Sequence, residues 1–306
     1  MVDSCVNCVA GDLVKWGIVF ASTTFPEPDR AVVMARAAES AGFESLWCPE
    51  HVVVAVGEGA TAYGGSLDGR MDRLWRRGGI PDPLVWLAFV ASQTSTINLG
   101  TNVVILPEHQ PAVLAKSSAT LDVLSKGRVR LGIGVGELPE EYEAVGMDFT
   151  NRGRRMDEYI EAIRALWRED VASFDGEHVR FDAVRCDPSP VRGTIPLHIG
   201  GASPAAIRRA ARYGDGYFPW VGPGLDLHAT LGRVIGEVRD EADRLGRDPA
   251  GIEITVGGAR TVAEAERMAA LGVHRMTVAI RAKELDEVVD ELGRFGAEVI
   301  AATVDL

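Results

Sequence analysis

The chain is poor in lysine. Of its 32 basic residues, set against 44 acidic residues in a length of 306, only four are lysines: Lys15, Lys116, Lys126 and Lys283. None of them follows a predicted β-strand, which is where parallel α/β folds carry their chemistry. An aldolase-type Schiff base therefore has no nucleophile in this chain.

Positive charge as a whole is also scarce, and long hydrophobic runs are missing. The formal net charge is −12, whereas a surface for nucleic acid or anionic membrane needs a basic face. Uninterrupted apolar runs are short, and no basic residue precedes Lys15, which argues against a membrane span and a signal peptide. The sequence therefore predicts a cytoplasmic protein that binds neither nucleic acid nor membrane.

Cysteine is scarce as well, since four cysteines in 306 residues are too few for a disulfide framework. Cys5 and Cys8 form a lone CxxC pair, with no second pair or histidine nearby. Residues 1–14 are predicted to be an N-terminal leader, with disorder favoured over a zinc or redox site. The six histidines show no HxH or HExxH spacing, so no metal site is predicted.

Apolar segments alternate with amphipathic ones along the rest of the chain, which is the pattern of βα units. Eight such units fit, and no linker rich in Ser, Pro or Gly divides them. The predicted fold is α/β, a single (β/α)8 TIM barrel over residues 15–306. The eight predicted strands span residues 15–20, 44–49, 97–106, 128–134, 196–199, 216–220, 252–256 and 274–280.

Two departures from this repeat are expected. A long polar stretch over residues 51–80 follows strand 2, and a loop of that length usually has a function. Its side chains Tyr63, Arg70 and Trp75 could close over a substrate as a lid, or could belong to a surface loop that binds nothing. Residues 171–181 alternate around an Asp-Gly turn, which predicts a small β-hairpin before strand 5.

The residues just after each strand of a β/α barrel line its catalytic face. Glu50 and His51 follow strand 2. Glu50 is the only strand-end acid that has a histidine next to it. His51 is a candidate for moving a proton or stabilising negative charge, with a hydrogen-bonded core histidine as the alternative. His109 lies several residues beyond strand 3 and is expected to be structural.

An anion site is predicted after strand 5. Gly200, Gly201, Ala202 and Ser203 combine glycines that permit close approach with a serine N-cap, and a proline follows at the first position of the helix. Such a helix start presents free N–H groups and a positive dipole end. Phosphate binding is favoured there over a merely well-capped helix.

The glycine-rich run after strand 4 is a poor nucleotide fingerprint. Residues 132–136 read Gly-Ile-Gly-Val-Gly, but Glu137 occupies the sixth position and the run belongs to a barrel strand. Gly134 and Gly136 are interpreted instead as positions that let a flat ligand approach the backbone closely.

Several of these segments together resemble the luciferase-like monooxygenase superfamily, and within it the deazaflavin (coenzyme F420)-dependent oxidoreductases common in actinobacteria. The resemblance covers roughly residues 15–220, and the last third of the chain is generic barrel. The matching segments are residues 45–51 (Ser-Leu-Trp-Cys-Pro-Glu-His), 81–91, 99–103, 114–116, 119–128, 131–136, 148–159, 198–204 and 214–216.

The resemblance implies a barrel with a flavin-like cofactor across its C-terminal face. By position, Glu50 and His51 match the acid–histidine pair beside the deazaflavin ring, with His51 as proton donor or stabiliser of the reduced ring. Asn102 and Val103 match a cis peptide that supports the ring. Gly136 matches the turn after strand 4, and the Gly201–Ala202–Ser203 loop matches the phosphate-binding loop.

Two features leave alternatives open. Glu137 stands where many similar proteins have Trp, although sugar-phosphate dehydrogenases of the superfamily use a Glu there as an acid; it is either a general acid or a solvated residue. Arg152, Arg154 and Arg155 are either a charged helix start or contacts for the phosphate or polyglutamate tail of the cofactor.

Three functions are compatible with the sequence. The preferred one is an F420-dependent oxidoreductase that transfers a hydride between the deazaflavin and a small organic substrate. The alternative is an FMN-dependent monooxygenase that uses O2 and a partner flavin reductase, and the third is a non-catalytic flavin-binding barrel. A homodimer is expected from the family resemblance.

Overall fold

A computed structural model describes residues 14–55, 79–221 and 225–306 of the chain. Most of the predicted leader lies outside these residues. So do the predicted lid side chains Tyr63, Arg70 and Trp75.

The strands alternate with helices along the chain, as the hydrophobic pattern predicts. Their bounds are β1 (Lys15–Val19), β2 (Ser45–Cys48), β3 (Asn98–Thr101), β4 (Val104–Ile105), β5 (Val129–Gly134), β6 (Ala172–Asp175), β7 (Arg180–Val184), β8 (Leu197–Gly200), β9 (Gly216–Phe218), β10 (Glu253–Gly257) and β11 (Arg275–Ala279).

All strands but β6 and β7 close into one parallel barrel. β1 pairs with β2 and β11, and the order continues through β10, β9 and β8 to β5. The circle closes because β3 pairs with both β2 and β5, while β4 also pairs with β5. Counting β3 and β4 as one broken strand gives eight positions around the barrel. The predicted TIM-barrel fold is confirmed.

The third strand differs from its prediction as a single segment over residues 97–106. β3 ends at Thr101 and β4 begins at Val104, with a cis peptide bond between Asn102 and Val103. The backbone of β5 approaches this break closely, because a Cβ atom on Gly132 would collide with the carbonyl oxygen of Thr101. Alternation of apolar residues does not reveal such a break, since both halves are buried.

The helices cover the outside of the barrel, and several begin at a proline after a capping side chain. Asp82 accepts a hydrogen bond from Val85 N, and Thr261 forms a capping box with Glu264. The helices are α1 (Ala21–Thr24), α2 (Pro28–Ser40), α3 (Pro83–Ala91), α4 (Pro111–Leu124), α5 (Pro139–Ala144), α6 (Arg152–Arg168), α7 (Pro204–Tyr213), α8 (Leu227–Arg244), α9 (Val262–Ala269) and α10 (Leu285–Phe295).

Two segments complete the fold. β6 and β7 form the predicted antiparallel hairpin before β8, and Glu158 of α6 accepts hydrogen bonds from the N–H groups of its turn, including Val179 N. The C-terminal residues 296–303 add a short helical segment that the sequence did not predict. Its Thr303 accepts a hydrogen bond from Trp16 Nε1 at 2.8 Å.

The N-terminal end of the barrel is closed by buried charges. The fully buried guanidinium of Arg275 donates to Glu44 and to Glu253, each at 2.8 Å. Burial and the nearby Arg275 charge lower the pKa of His198 to about 3, so this inward-facing histidine is neutral. In this fold, residues at this end serve stability, whereas chemistry is expected at the other end. Among the described residues, no helix is long and apolar enough to span a membrane.

Candidate active site

Two histidine–glutamate pairs lie at the C-terminal end of β2. The first joins His51, which follows β2, to Glu141 in the first turn of α5. The distance from Nδ1 to Oε2 is 2.8 Å, and the two side chains are 5% and 1% exposed. The other oxygen of Glu141 accepts a hydrogen bond from Val52 N at 2.5 Å. Glu141 thus fixes both the ring of His51 and the backbone that follows it.

Sequence reasoning assigned no role to Glu141, because it follows another glutamate at an ordinary charged helix start. The tertiary structure turns this helix towards the barrel mouth. Tyr142, also buried, donates from its hydroxyl to Val135 O at 2.7 Å and so ties α5 to the segment after β5.

The second pair joins Glu50 to His109. Oε2 of Glu50 accepts a hydrogen bond from Ile105 N at 2.7 Å and lies 3.0 Å from His109 Nε2. Burial would lower the pKa of His109, but the hydrogen bond and charge of Glu50 outweigh it and raise that pKa. His109 was expected to be merely structural; it lies against Glu50, one of the two predicted strand-end residues.

A third carboxyl group, Glu108, completes the cluster. It is 6% exposed, and neither of its oxygens has a hydrogen-bond partner among the described residues. Burial, together with the charges of Glu141 and Glu50, raises the pKa of Glu108 to about 9. No sequence signal marked it, because its neighbours come from different elements.

The bulge between β3 and β4 carries the cis peptide that the resemblance implied. Val103 projects between two neighbouring strands: a Cβ atom on Gly134 or on Gly200 would lie 2.6 Å from one of its methyl carbons. Glycine is therefore required at both positions for Val103 to fit. The buried Oδ1 of Asn102 has no hydrogen-bond partner among the described residues, and so remains able to accept one.

The turn after β5 also depends on close packing. Gly136 has a φ of +63°, and a Cβ atom there would lie 2.7 Å from a methyl carbon of Ile105. Glu137 follows it and is exposed. Its role as a general acid stays a prediction.

The loop after β8 has the predicted helix-start geometry. Gly201 has a φ of +98°, and its N–H donates to Phe218 O at 3.2 Å. Ala202 is half-buried, and Ser203 Oγ accepts from Ala206 N at 3.2 Å as the N-cap of α7. Phosphate binding by this loop stays a prediction.

The three arginines at the start of α6 do not act as one group. Arg155 is buried and donates to Pro107 O at 3.2 Å. Arg152 lies over the ring of Phe149, 3.7 Å from its centroid, whereas exposed Arg154 pairs with Glu177 at 3.6 Å. Arg155 is thus committed to holding the segment that carries Glu108. Within the described ranges, no cluster of ligands suited to a metal ion is present.

Comparison with known proteins assigns the family. A model described as luciferase-like monooxygenase matches residues 14–297. The chain belongs to the luciferase-like monooxygenase family.

Two relatives illustrate its place in the family. An uncharacterized protein of Mycobacterium tuberculosis is 40% identical over 186 residues, which cover 60% of this chain and 64% of that protein. The match thus spans less than two thirds of that relative. An F420-dependent glucose-6-phosphate dehydrogenase of Kineococcus radiotolerans is 31% identical over 252 residues, covering 80% of this chain and 67% of that protein.

Solved structures share the fold of this luciferase-like chain. An F420-dependent secondary alcohol dehydrogenase, solved with an F420–acetone adduct, superposes with a TM-score of 0.75 at 18% identity, over 95% of this chain and 99% of that one. The monooxygenase RslO1 of Streptomyces bottropensis gives 0.73 at 22% identity, over 94% and 99%. At such identities the likeness shows the fold alone.

Proposed function

We propose that this protein is an F420-dependent oxidoreductase that transfers a hydride between the deazaflavin and a small organic substrate, with His51 handling the accompanying proton. The observation that carries the proposal is the His51–Glu141 pair at the catalytic end of the barrel. A buried carboxylate at Nδ1 selects the tautomer and orientation of an imidazole ring. Nε2 is then the nitrogen that would exchange a proton with a substrate.

The residues present fit a flat ring bound beside the bulge. The buried Oδ1 of Asn102 lacks a partner among the described residues and can accept a hydrogen bond from a ligand. Val103 packs against Gly134 and Gly200, and because glycine has no side chain, the neighbouring strands can lie close to the bulge. These four residues would hold the ring, and Gly201, Ala202 and Ser203 would hold its phosphate.

When bound, the cofactor would supply the hydride carrier, which protein side chains lack. The protein supplies orientation and proton handling. His51 is 5% exposed in its side chain, so a proton placed on it is shielded from bulk water. Glu50, which contacts His109, also accepts a hydrogen bond from Ile105 N and so helps to hold β4 in place.

The choice of F420 over FMN is supported by the F420-dependent dehydrogenase that is 31% identical over 80% of this chain. The FMN-dependent monooxygenase, with a flavin reductase as partner, is the competing function within the same family. Both cofactors would occupy the same end of the barrel, and only binding and reaction distinguish them.

The experiment is a parallel titration of the purified protein with F420 and with FMN, followed by cofactor fluorescence. F420 is expected to bind more tightly, and anaerobic reduction or oxidation of the bound deazaflavin by a panel of alcohols and ketones should follow. Ser203→Trp should weaken binding, whereas Ser92→Trp, on an exposed site at the end of α3, should not. Preference for FMN with O2-dependent product would replace the proposal with the monooxygenase. Binding without turnover would support the non-catalytic barrel.

We also propose that the protein forms a homodimer through α3 and α4. Val85 and Phe89 lie four residues apart on α3 and are 70% and 43% exposed, and Leu124 at the end of α4 is 69% exposed. Exposed apolar residues on adjacent helices are typical of association surfaces. Sedimentation should show a dimer that Val85→Asp dissociates; a monomeric wild type would exclude it.

A further inference from the structure

Glu108 is a buried carboxyl group without a hydrogen-bond donor among the described residues. It is 6% exposed, and both Oε1 and Oε2 are unpartnered there. Burying a carboxylate without donors is costly, and such a group takes up a proton instead. Its position at the end of the short helical turn Leu106–Glu108 is maintained by Arg155, which donates to Pro107 O rather than to the carboxyl group.

The two neighbouring carboxyl groups have the opposite environment. Glu50 accepts from Ile105 N and lies against His109, while Glu141 accepts from Val52 N and lies against His51. Donors of this kind stabilise the ionised form of a carboxyl group. The cluster thus has two carboxylates that are each matched by a histidine, and a third carboxyl group that is matched by none in the described part of the chain.

The charged and titratable groups around Glu108 come from several elements. Burial raises the pKa of Tyr142, and Glu108 and Glu141 add to this rise, so its phenol is neutral. Together with burial, Glu141 and Glu50 also raise the pKa of Glu108 to about 9. The groups that face the cluster are Glu50 and His51 after β2, Asp82 before α3, His109 next to Glu108 in the chain, Glu141 and Tyr142 on α5, and Arg152 and Arg155 on α6.

We propose that Glu108 is a positioning residue that remains protonated between the Glu50–His109 and Glu141–His51 pairs, so that only two negative charges face the two histidines. A third carboxylate would add repulsion between like charges in a buried cluster whose hydrogen-bond donors serve Glu50 and Glu141. The neutral acid lets both histidine–glutamate pairs keep their geometry, including the pair that orients His51. The part played by His51 rests on the proposed function, whereas the protonation of Glu108 does not.

The test compares proton release by the wild type, Glu108→Gln and Glu143→Gln, each as the full chain without added cofactor. Glu143 lies on α5, the helix that contributes Glu141 to the cluster, but it is exposed, which makes it the control. The wild type should release one more proton per chain than E108Q near pH 9. E143Q should keep this step. The proposal would be overturned if the wild type showed no such release of one proton, or if E143Q lost it as E108Q does.

Stability gives a second readout with a defined sign. The folded protein keeps the Glu108 proton up to a pH of about 9, whereas the unfolded chain loses it near a pH of about 4.3. The wild type should therefore lose stability relative to E108Q as pH rises between these values, by about tenfold in the unfolding constant per pH unit. A constant difference, or E108Q becoming the weaker protein as pH rises, would show an ionised Glu108.

If E108Q fails to fold, the infrared carbonyl band of a protonated carboxyl group in the wild type decides the matter. That band should be present at pH 7 and disappear as pH passes about 9. Its absence at pH 7 would overturn the inference. Because these readouts need no cofactor, the inference can hold even if F420 fails to bind, and it can fail while F420 binds.

Discussion

Nδ1 of His51 lies 2.8 Å from Oε2 of Glu141, although 90 residues separate them in the chain. A histidine after β2 and a glutamate on α5 thereby become one buried pair. The same carboxylate also holds the N–H of Val52, so the orientation of the ring and of the following backbone depend on one side chain.

Removing the charge at Glu141 should impair His51 without changing the fold of the barrel. Glu141→Gln is expected to lower the turnover of an accepted substrate about 10- to 100-fold, as for other residues that orient a reacting histidine. His51→Ala should lower it by about 100-fold or more. Steady-state kinetics of both variants and of the double variant test this, because the double should be no slower than H51A. Wild-type turnover in E141Q would contradict the role given to the pair.

The glycines around Val103 should be intolerant of alanine. A Cβ atom at Gly134 or Gly200 would lie 2.6 Å from a methyl carbon of Val103. Gly134→Ala should therefore reduce the free energy of unfolding by about 1–3 kcal/mol through overpacking. Val103→Ala in the same chain should restore much of the loss, which urea unfolding can measure.

Gly236 on α8 provides the control for that series. A Cβ atom added there would meet no atom of another described element within 4 Å. Gly236→Ala should leave stability unchanged or raise it by up to about 1 kcal/mol, as alanine does in a helix interior. Equal losses at Gly134 and Gly236 would show that contact with Val103 is not the cause.

His198 should make the protein sensitive to acid. Its pKa is lowered to about 3 in the folded barrel, whereas it is about 6.5 in an unfolded chain. Between these values the unfolded chain binds a proton that the folded protein does not, so stability falls as pH decreases from about 6.5 towards 3. Pairing with Arg275 lowers the pKa of the Glu253 carboxyl group despite its burial. Glu253 therefore adds to the loss of stability below about pH 4.3.

Unfolding of the wild type and of His198→Gln, measured as a function of pH, tests this. Between pH 4 and 6, the slope of the free energy of unfolding against pH should correspond to one proton fewer taken up on unfolding in H198Q than in the wild type. Identical slopes would mean that His198 is not a buried neutral group.

The Arg275 network should be costly to break. Arg275 is fully buried and forms salt bridges with both Glu44 and Glu253. Arg275→Met should reduce the free energy of unfolding by about 3–5 kcal/mol, because it removes the one buried donor that hydrogen-bonds both carboxylates. Arg130 would remain as a partner of both, but only through longer ion pairs of 3.7 and 3.9 Å. Arg233→Met, which breaks an exposed pair with Glu237, should cost about 0.5 kcal/mol or less. Similar losses in both variants would contradict the difference in burial.

Much of the fold could be predicted from local patterns. The βα repeat and the hairpin around the Asp-Gly turn before β8 lie where the sequence predicts them, because each depends on residues only a few positions apart. The break between β3 and β4 could not be predicted by alternation, and only the resemblance implied it. It depends on the glycines of neighbouring strands that make room for Val103.

The candidate site divides in the same way. Glu50 and His51 could be selected by their place after a strand, because the βα repeat alone puts strand ends on one face. Their partners could not: Glu141 and Glu108 read as ordinary charged residues of short helical segments. Only the packing of α5 and of residues 106–108 against the mouth of the barrel buries them beside the histidines.

Composition and spacing along the chain were thus enough to establish the eightfold βα repeat, the absence of lysine at strand ends and the position of His51, since each depends on one element at a time. Packing in three dimensions selected which carboxyl group each histidine contacts and which carboxyl group has no donor among the described residues. The physical reason is that burial and charge at a site depend on distances in space between residues distant in the chain, as in Glu50 and His109 or His51 and Glu141.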